Sequence, residues 1–346
     1  MKLKKSSFPL IIFVLAIILT GFFVLNSLLF IPNVKLQKDK VYIDVPKNID
    51  IDSLTKILSP YIKSQATFKF ASKIKRFTKP HQGRYAIKNM MNNNNLINLL
   101  RIGQKLEVKV TFNNKNSIPD LAGAISHQIE PDSLALLKTM FDRTFIKEKG
   151  FTPDNILLMY IPDTYRLYYN MTPEQFRAKM WQAYQKFWNE KRRAKAKKLG
   201  LTPIEVGILA SIIQKESTKA SELPRIAGVY LNRLKKGMLL QADPTVVYAY
   251  RQQYGKDLVI KRVLNKHKAV DSPYNTYKYA GLPPGPICMP DIQSIKAVLN
   301  PEKHQYYYFV ADFNKPGYHL FSKTLREHNQ RAGQYHNQLN RQGIYH

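Results

Sequence analysis

Residues Thr202 to Gly237 read TPIEVGILASIIQKESTKASELPRIAGVYLNRLKKG, and they contain the clearest helix signals of the chain. The segment opens with the signature of a helix start: Thr202 as the N-cap, Pro203 at the first helical position and Glu205 three residues after the cap. The side chains of Thr202 and Glu205 can accept hydrogen bonds from backbone amides that have no partner within the helix. A second helix is expected to open at Ser221 or Glu222 and to stop at Gly237. The stretch therefore predicts a hairpin of two helices, and it explains Glu205 as a capping carboxylate.

One carboxyl of this hairpin stands on the apolar side of its helix. Glu216 follows Leu209, Ile212 and Ile213 at spacings of seven, four and three residues, which puts all four on one face. Burial raises the pKa of a carboxyl towards neutrality, and such a carboxyl can donate a proton near pH 7. The pattern leaves two interpretations open, a catalytic acid or a helix-end carboxylate that is solvated or paired with Arg or Lys.

The N-terminus predicts a membrane anchor. The uncharged stretch from Phe8 to Phe30 would reach about 34 Å as a helix, enough to cross a hydrocarbon layer of ~30 Å. Lys2, Lys4 and Lys5 precede it, so the positive-inside rule places residues 1–7 in the cytoplasm and the chain after Phe30 on the other side. A cleaved signal peptide is the alternative, but the apolar segment is long and no small-residue cleavage site follows it.

The chain beyond the anchor predicts an α+β fold in two parts. Residues 31–40 are expected to form a linker, and residues 41–114 combine strand-like and helical segments in a small α+β module. Residues 118–346 are expected to form a larger mixed α+β domain. Its first long helix begins at Pro173 after the cap Thr172 and is predicted to run to about Leu199.

Composition limits the function classes. The formal charge is +30, with 54 Lys and Arg against 24 Asp and Glu. Such a surface attracts polyanions, and an exported chain meets anionic lipid headgroups or an acidic envelope polymer before it meets nucleic acid; a merely solvated basic surface is the alternative. Cys288 is the single cysteine, which excludes an intramolecular disulfide. His319 and His328 stand nine residues apart without a metal-binding motif, so neither a metal nor another cofactor is predicted.

Two segments after the hairpin carry polar side chains on restricted backbone. In LQADPT, from Leu240 to Thr245, Pro244 forces Asp243 into an extended or turn conformation, and a plain turn or cap role is the alternative. The run SPYNTYKYAGLPPGPI, from Ser272 to Ile287, is a Pro-rich loop. Its amide and hydroxyl groups suit sugar hydroxyls, although a structural loop explains it equally well.

Several blocks, in this order along the chain, resemble the YceG-like endolytic murein transglycosylases. The blocks are Ile161 to Tyr165 (weakly), Glu216 with Arg225 to Leu234, Leu240 to Thr245, Ser272 to Ile287, and Tyr318 to Asn329. Residues near 41–112 resemble a small LysM-like module, to which Gly83, Tyr85 and Gly103 fit loosely. The chain departs from the pattern at Ala242, where Ser or Thr is expected, and at Cys288 and Met289.

The resemblance implies a bacterial envelope enzyme, with its anchor in the inner (plasma) membrane and its catalytic domain in the periplasm. It would cut nascent peptidoglycan strands internally between MurNAc and GlcNAc, form 1,6-anhydro-MurNAc ends and stop strand elongation. Peptidoglycan strands, the membrane and peptidoglycan synthases would be its partners, and nucleic acid would not.

The resemblance also implies site residues. Glu216 matches the family's catalytic glutamate. The other matches, at motif positions expected to bind substrate, are Gln241, Asp243, Ser272, Tyr274 and Asn275. Asn275, Gln241 or Tyr274 is expected to orient the acetamido group or to stabilise oxocarbenium-like charge.

Two other classes of function remain open from the sequence. A noncatalytic, membrane-anchored peptidoglycan-binding or scaffold protein would leave Glu216 with a structural role. A basic nucleic-acid binder would require the chain after Phe30 to be cytoplasmic.

Overall fold

The structure is a computed structural model that describes residues 8–46, 48–103, 106–255, 257–260 and 262–341. The helices are α1 Phe8–Phe30, α2 Ile51–Leu58, α3 Gln65–Ile74, α4 Asn93–Ile102, α5 Ile118–Ser126, α6 Ser133–Met140, α7 Arg143–Glu148, α8 Pro173–Phe187, α9 Glu190–Lys198, α10 Pro203–Glu216, α11 Leu223–Lys235, α12 Asp243–Tyr254, α13 Asn265–Lys268, α14 Ile292–Leu299 and α15 Leu325–Arg341. The strands are β1 Lys40–Val45, β2 Gly83–Lys88, β3 Glu107–Phe112, β4 Asp163–Tyr168, β5 Tyr308–Ala311 and β6 His319–Ser322.

The chain divides into two compact units of mixed α and β structure, so the predicted α+β class is confirmed. Unit 1 comprises Met1–Lys109, Gln128–Pro131 and Arg166–Met171, and unit 2 comprises Val110–His127, Asp132–Tyr165 and Thr172–His346. The predicted division after residue 114 lies near the first passage of the chain into unit 2. The two short returns to unit 1 were not predicted, and the LysM-like character of residues 41–114 stays a prediction.

Helix α1 is the one described helix that is long and apolar enough to cross a membrane. The stretch Ile11–Phe30 meets this test and is not buried inside the protein. Its last turn joins unit 1, since Asn93 Nδ2 donates to the Leu28 carbonyl at 2.8 Å and Leu29 packs against the core. The predicted cytoplasmic residues 1–7 lie outside the described residues.

Residues 31–36 of the predicted linker are packed rather than free. Val34 is fully buried and forms an antiparallel bridge with Ile62, and Pro32 bridges Asn92. Leu36 also contacts the core of unit 1. The prediction failed here because Val34 and Leu36 place apolar side chains two residues apart, a spacing that lets one face of an extended segment pack inward.

The core of unit 1 lies between a pair of antiparallel strands and three helices. Strands β1 and β2 are antiparallel, with Ile43 opposite Tyr85. Tyr85, Phe68 and Leu96 are fully buried, contributed by β2, α3 and α4. Helix α4 begins after Asn92, whose side chain accepts from the Asn95 amide at 2.8 Å.

The predicted single helix from Pro173 to Leu199 is wrong, because the chain leaves the helical conformation at Trp188. Trp188 has φ −83° and ψ 59°, and its side chain is buried. Asn189 then caps a separate helix, α9, by accepting from the Arg192 amide at 3.0 Å. Helix periodicity predicted that the helix would continue, but the capping hydrogen bond of Asn189 starts a new helix instead.

The predicted hairpin is present in unit 2 as α10 and α11, which pack against each other and against α14. Glu205 plays its predicted capping role, since it accepts from the Thr202 amide at 2.7 Å while Thr202 Oγ1 accepts from the Glu205 amide at 3.2 Å. The residues from Val206 to Ile213 are all buried, so α10 is a central helix of its unit.

A segment after α14 crosses α11 at very close range. A Cβ atom at Gly228 would lie 2.6 Å from the Glu302 carbonyl oxygen and from His304 Nε2. The same segment is held by the Asn232 side chain, which donates to the His304 and Tyr306 carbonyls at 2.9 and 3.0 Å. Only glycine fits at this crossing, because the nearest atom belongs to the backbone.

The variant Gly228→Ala should therefore lose about 1 to 3 kcal/mol of unfolding free energy through overpacking. Gly123→Ala in α5 is the matched control, since a Cβ there meets nothing within 4 Å. The control should be stabilised by up to about 1 kcal/mol through helix propensity. Urea unfolding in detergent, followed by circular dichroism, measures both, and equal effects would contradict the close crossing.

Candidate active site

Glu216 is the last residue of α10, and the chain becomes extended directly after it. Ser217, the next residue, has φ −141° and ψ 140°. Leu209, Ile212 and Ile213 are fully buried, which confirms the predicted apolar face of α10, and Glu216 itself is partly exposed at the end of that face. The alternative interpretation expected a carboxylate at the end of the helix, and that position is correct. It also offered a pairing with Arg or Lys, but no salt bridge to Glu216 occurs among the described residues.

The Glu216 carboxyl accepts a short hydrogen bond from a buried tyrosine. Tyr230 Oη donates to Glu216 Oε1 at 2.6 Å, and Tyr230 is only 1% exposed. The Tyr230 ring meets the Phe309 ring edge to face, with centroids 5.9 Å apart. The sequence pattern would count Tyr230 as an apolar core position of α11, yet a buried phenol needs a polar partner, and here that partner is Glu216.

Desolvation raises the pKa of Glu216 from 4.5 to about 7. The negative charge of Asp243 also contributes to this rise, while the Tyr230 hydrogen bond and the positive charge of Arg233 oppose it. The net direction follows from the largest cause, burial. Glu216 therefore exists in comparable amounts as acid and as carboxylate near neutral pH.

Arg233 supplies a buried positive charge without an acidic partner among the described residues. Its Nε donates to the Tyr307 carbonyl at 2.6 Å and its Nη1 to the Leu240 carbonyl at 2.7 Å. Because carbonyls bind the guanidinium in a fixed position, Arg233 acts on Glu216 through its charge rather than through an ion pair. This arrangement leaves the carboxyl free to change its protonation state.

A cavity of about 740 Å³ opens beside Glu216 within unit 2. Acidic, basic and apolar side chains line it together. The lining residues are Asn116, Ser117, Asp120, Lys215, Glu216, Asp243, Pro244, Val247, Tyr248, Arg251, Gln252, Asp257, Ile260, Arg262, Val263 and Ile287. A cavity of this volume, with Glu216 and other polar side chains in its wall, is large enough to hold a ligand.

Asp243 is the predicted site residue that the structure brings to the same cavity as Glu216. It is the first residue of α12, is exposed, and accepts from Tyr277 Oη at 2.7 Å. This bond and burial both raise the pKa of Tyr277 well above its usual value. Asp243 makes no side-chain cap for α12, so the alternative of a capping role is wrong.

The other predicted site residues are not among those that line this cavity. Asn275 is fully buried, with its Nδ2 donating to the Lys268 and Val270 carbonyls and its Oδ1 accepting from the Tyr277 amide. Ser272 Oγ accepts from the Tyr274 amide at 3.3 Å. These bonds organise the loop that carries Tyr277, and a substrate role for Ser272 or Asn275 stays a prediction.

Tyr274 and Gln241 have different surroundings. Tyr274 packs on Tyr248, a cavity residue, with ring centroids 4.8 Å apart, and burial raises its pKa. Gln241 is exposed and adopts a left-handed φ of 49°, and its backbone amide donates to the Thr276 carbonyl at 3.0 Å. A substrate role for either side chain stays a prediction. Ala242, a departure from the family pattern, is buried beside Thr245 and Thr276.

A buried acid that the sequence pattern missed lies just beyond Glu216. Glu222 precedes α11 as predicted, but its side chain does not cap the helix. Instead its two oxygens accept from the His319 amide at 2.8 Å and from His319 Nδ1 at 2.9 Å. Ser217 Oγ also donates to Glu222, at 3.3 Å. This cluster ties the residue after Glu216 to strand β6, and local periodicity carries no sign of it.

The described residues contain no group of three or more His, Cys, Asp or Glu placed to hold a metal ion. Cys288 is buried, and burial raises the pKa of its thiol to about 11.

Comparison with known proteins places the chain in a family. The model of the YceG-like family matches residues 43–334. The chain belongs to the YceG-like family. This confirms the resemblance found in the sequence blocks around Glu216. The match covers residues of both units.

Named relatives agree with this assignment. A Bacillus subtilis (strain 168) protein named endolytic murein transglycosylase is 32% identical over 92% of this chain and 91% of its own length. Two Streptococcus pneumoniae proteins of the same name are 26% identical over 91% of this chain, which spans 61% of their length. The crystal structure of a YceG-like protein from Listeria monocytogenes is 30% identical and covers 85% of this chain and 99% of its own, with a TM-score of 0.54.

The protonation of Glu216 should make the stability of the protein depend on pH. Its pKa is about 7 in the folded chain and 4.5 without the folded environment. Between these values the folded protein holds the proton more tightly, so this group's contribution to stability falls as pH rises. We expect Glu216→Gln to become progressively more stable than the parent from pH 5 to pH 8. Thermal unfolding at each pH measures this, and a difference that does not vary with pH would contradict the raised pKa.

Two neighbours should move the Glu216 pKa in opposite directions. Tyr230→Phe removes a hydrogen bond to the carboxylate and should raise the pKa, whereas Asp243→Asn removes a negative charge and should lower it, each by about one pH unit or less. Infrared titration of the carboxyl band, with Glu216→Gln as the blank, follows the proton without any substrate. Shifts of the same sign in both variants would exclude the proposed environment.

Proposed function

We propose that this chain is an endolytic peptidoglycan lytic transglycosylase in which Glu216 is the acid and then the base. The observation that carries the proposal is the raised pKa of about 7 for a carboxyl in the wall of a large cavity. Membership of the YceG-like family and the names of its relatives support the same reaction class.

The proposed substrate bond joins C1 of MurNAc to O4 of GlcNAc. Protonated Glu216 donates its proton to this bridging oxygen, the bond from C1 to oxygen breaks, and the GlcNAc hydroxyl leaves. The 6-hydroxyl of the same MurNAc then attacks C1 and loses its proton to the Glu216 carboxylate. The product carries a 1,6-anhydro ring, and Glu216 regains the proton that it began with.

This route explains why one acid suffices where an ordinary glycosidase needs two. A hydrolase requires a second carboxylate as nucleophile or as base for water. Here the nucleophile belongs to the substrate and is held close to C1, which gives it a high effective concentration. Water has no part in the bond change.

The neighbours of Glu216 have distinct parts in the proposal. Tyr230 donates to Oε1 and so leaves Oε2 to carry the proton towards the cavity. Asp243, which lines the same cavity, places negative charge where the sugar ring becomes positive, and Tyr277 holds it in position. Tyr230, Tyr277 and Asn275 then act by positioning groups rather than by contact with the sugar.

We propose that α1 anchors the enzyme in the bacterial inner membrane with its N-terminus in the cytoplasm. The length and exposed apolar surface of α1 support this, together with Lys2, Lys4 and Lys5 before it. The rest of the chain then meets nascent glycan strands outside the cytoplasm, beside the synthases that extend them. The small α+β module of residues 41–114 would help to hold a strand, as a LysM-like module does.

The reaction is tested by incubating the full chain in detergent with peptidoglycan strands and analysing the products by mass spectrometry. The parent should release fragments with anhydro ends, and Glu216→Gln should be slower by about 10²-fold or more because it has no acid to donate. Glu205→Gln is the matched control: it makes the same change on the same helix, at a carboxyl that caps the helix and does not line the cavity.

The control should keep close to parental activity. Anhydro ends made equally well by Glu216→Gln would remove Glu216 from the reaction. Strand binding without any cleavage by the parent would favour the noncatalytic scaffold instead.

A further inference from the structure

An apolar groove of about 740 Å³ runs along α1 within unit 1. One wall is α1 itself, and the other is formed by two side chains of α3. The lining residues are Phe13, Ala16, Ile17, Thr20, Gly21, Val24, Leu25, Leu28, Phe70 and Ile74. Thr20 contributes the one polar side chain among them, so the groove is lined for hydrocarbon rather than for water.

Helix α3 presents apolar side chains on two opposite sides. Phe68 and Ala71 face the core of unit 1 and are fully buried. Phe70 and Ile74, one helical turn apart, are 53% and 38% exposed. Together with the groove side of α1 they form one contiguous apolar patch, and such patches mark interaction or membrane sites.

Basic residues border this exposed stripe. Lys69 and Lys73 are exposed on α3 itself, and Arg76 and Lys79 are exposed in the segment that follows it. Lys69 pairs with Asp52 at 2.6 Å, whereas Lys75 turns towards α4, where its Nζ donates to Asn94 and Asn98. Aromatic and aliphatic side chains flanked by Lys and Arg are typical of helices that lie in the headgroup layer of a membrane.

The attachment of α1 fixes how close α3 comes to the lipid. The last turn of α1 is bound to α4 through Asn93 and Leu28, and the chain enters the core at Val34 without a free linker. Gly21 and Leu25, which line the groove, precede Phe30 by nine and five residues, about 14 and 8 Å along the helix. A bilayer that surrounds α1 therefore reaches Phe70 and Ile74.

We propose that this face of α3 docks on the extracytoplasmic leaflet of the membrane, with acyl chains of anionic phospholipid in the groove and their phosphates at the bordering Lys and Arg side chains. The inference rests on the membrane anchor proposed above and is independent of glycan cleavage. Unit 1 is then fixed to the bilayer by two contacts, the anchor and α3, and cannot turn freely about a single tether. The sequence predicted a basic surface that meets anionic headgroups, and the proposal locates that surface beside α3.

The test uses the full chain reconstituted into vesicles that contain phosphatidylcholine and phosphatidylglycerol. A polarity-sensitive fluorophore is attached by maleimide to single cysteines introduced by Phe70→Cys, Phe23→Cys or Tyr42→Cys. Phe23 in α1 is 77% exposed and reports the anchor, while Tyr42 in β1 is 50% exposed and matches Phe70 in size and exposure without lining the groove. The native Cys288 is buried, with a thiol pKa raised to about 11, and so does not compete for the label at pH 7.

Brominated lipids should quench the probes at positions 70 and 23 and leave the probe at position 42 unaffected. Replacing phosphatidylglycerol by phosphatidylcholine should weaken quenching at position 70 by about twofold or more, because the basic residues lose their headgroup partners. Quenching at position 23 alone would overturn the docking of α3 and leave the anchor standing. Quenching at neither position would overturn both. Quenching at position 70 that is the same without anionic lipid would overturn the assignment of the phosphates to the basic residues.

Discussion

Desolvation of the Glu216 carboxyl is the constraint on which the rest of the site depends. A carboxyl group in water loses its proton well below neutral pH, whereas desolvation brings the pKa of Glu216 to about 7. The phenol of Tyr230 and the charge of Arg233 keep this effect from going further, so that the carboxylate is also accessible. A group that must give and then retrieve one proton needs both forms to be close in energy.

The fold supplies this environment by ending one central helix at the edge of a cavity. The capping box of Thr202 and Glu205 fixes where α10 begins, and the buried face of α10 holds its far end beside α11. Tyr230 approaches from α11 and is supported by Phe309. Beyond Glu216, the contact between Glu222 and His319 binds the departing chain to β6.

Features that depend on neighbours along the chain could be predicted from the sequence, and features that depend on distant contacts could not. The helix starts at Thr172 and Thr202, the hairpin and the apolar face of Glu216 all follow from helical spacing and caps. The bond between Glu222 and His319 joins residues 97 positions apart, and that between Tyr277 and Asp243 joins residues 34 apart. The helix break at Trp188 and the packing of the segment around Val34 were not predicted. Trp188 and Val34 are each buried in the core of their own unit, and local sequence patterns do not describe such tertiary contacts.

Digestion of glycan strands in water enriched in oxygen-18 tests the internal-nucleophile mechanism most directly. If the MurNAc 6-hydroxyl attacks C1 with Glu216 as the only acid and base, the new ends contain no heavy oxygen and have the mass of an anhydro sugar. If a water molecule attacks C1 instead, the new MurNAc end gains one heavy oxygen and has the mass of a hydrolysed sugar, while the GlcNAc end keeps the original bridging oxygen. The second result would contradict the mechanism and would require another carboxylate in the cavity to activate water.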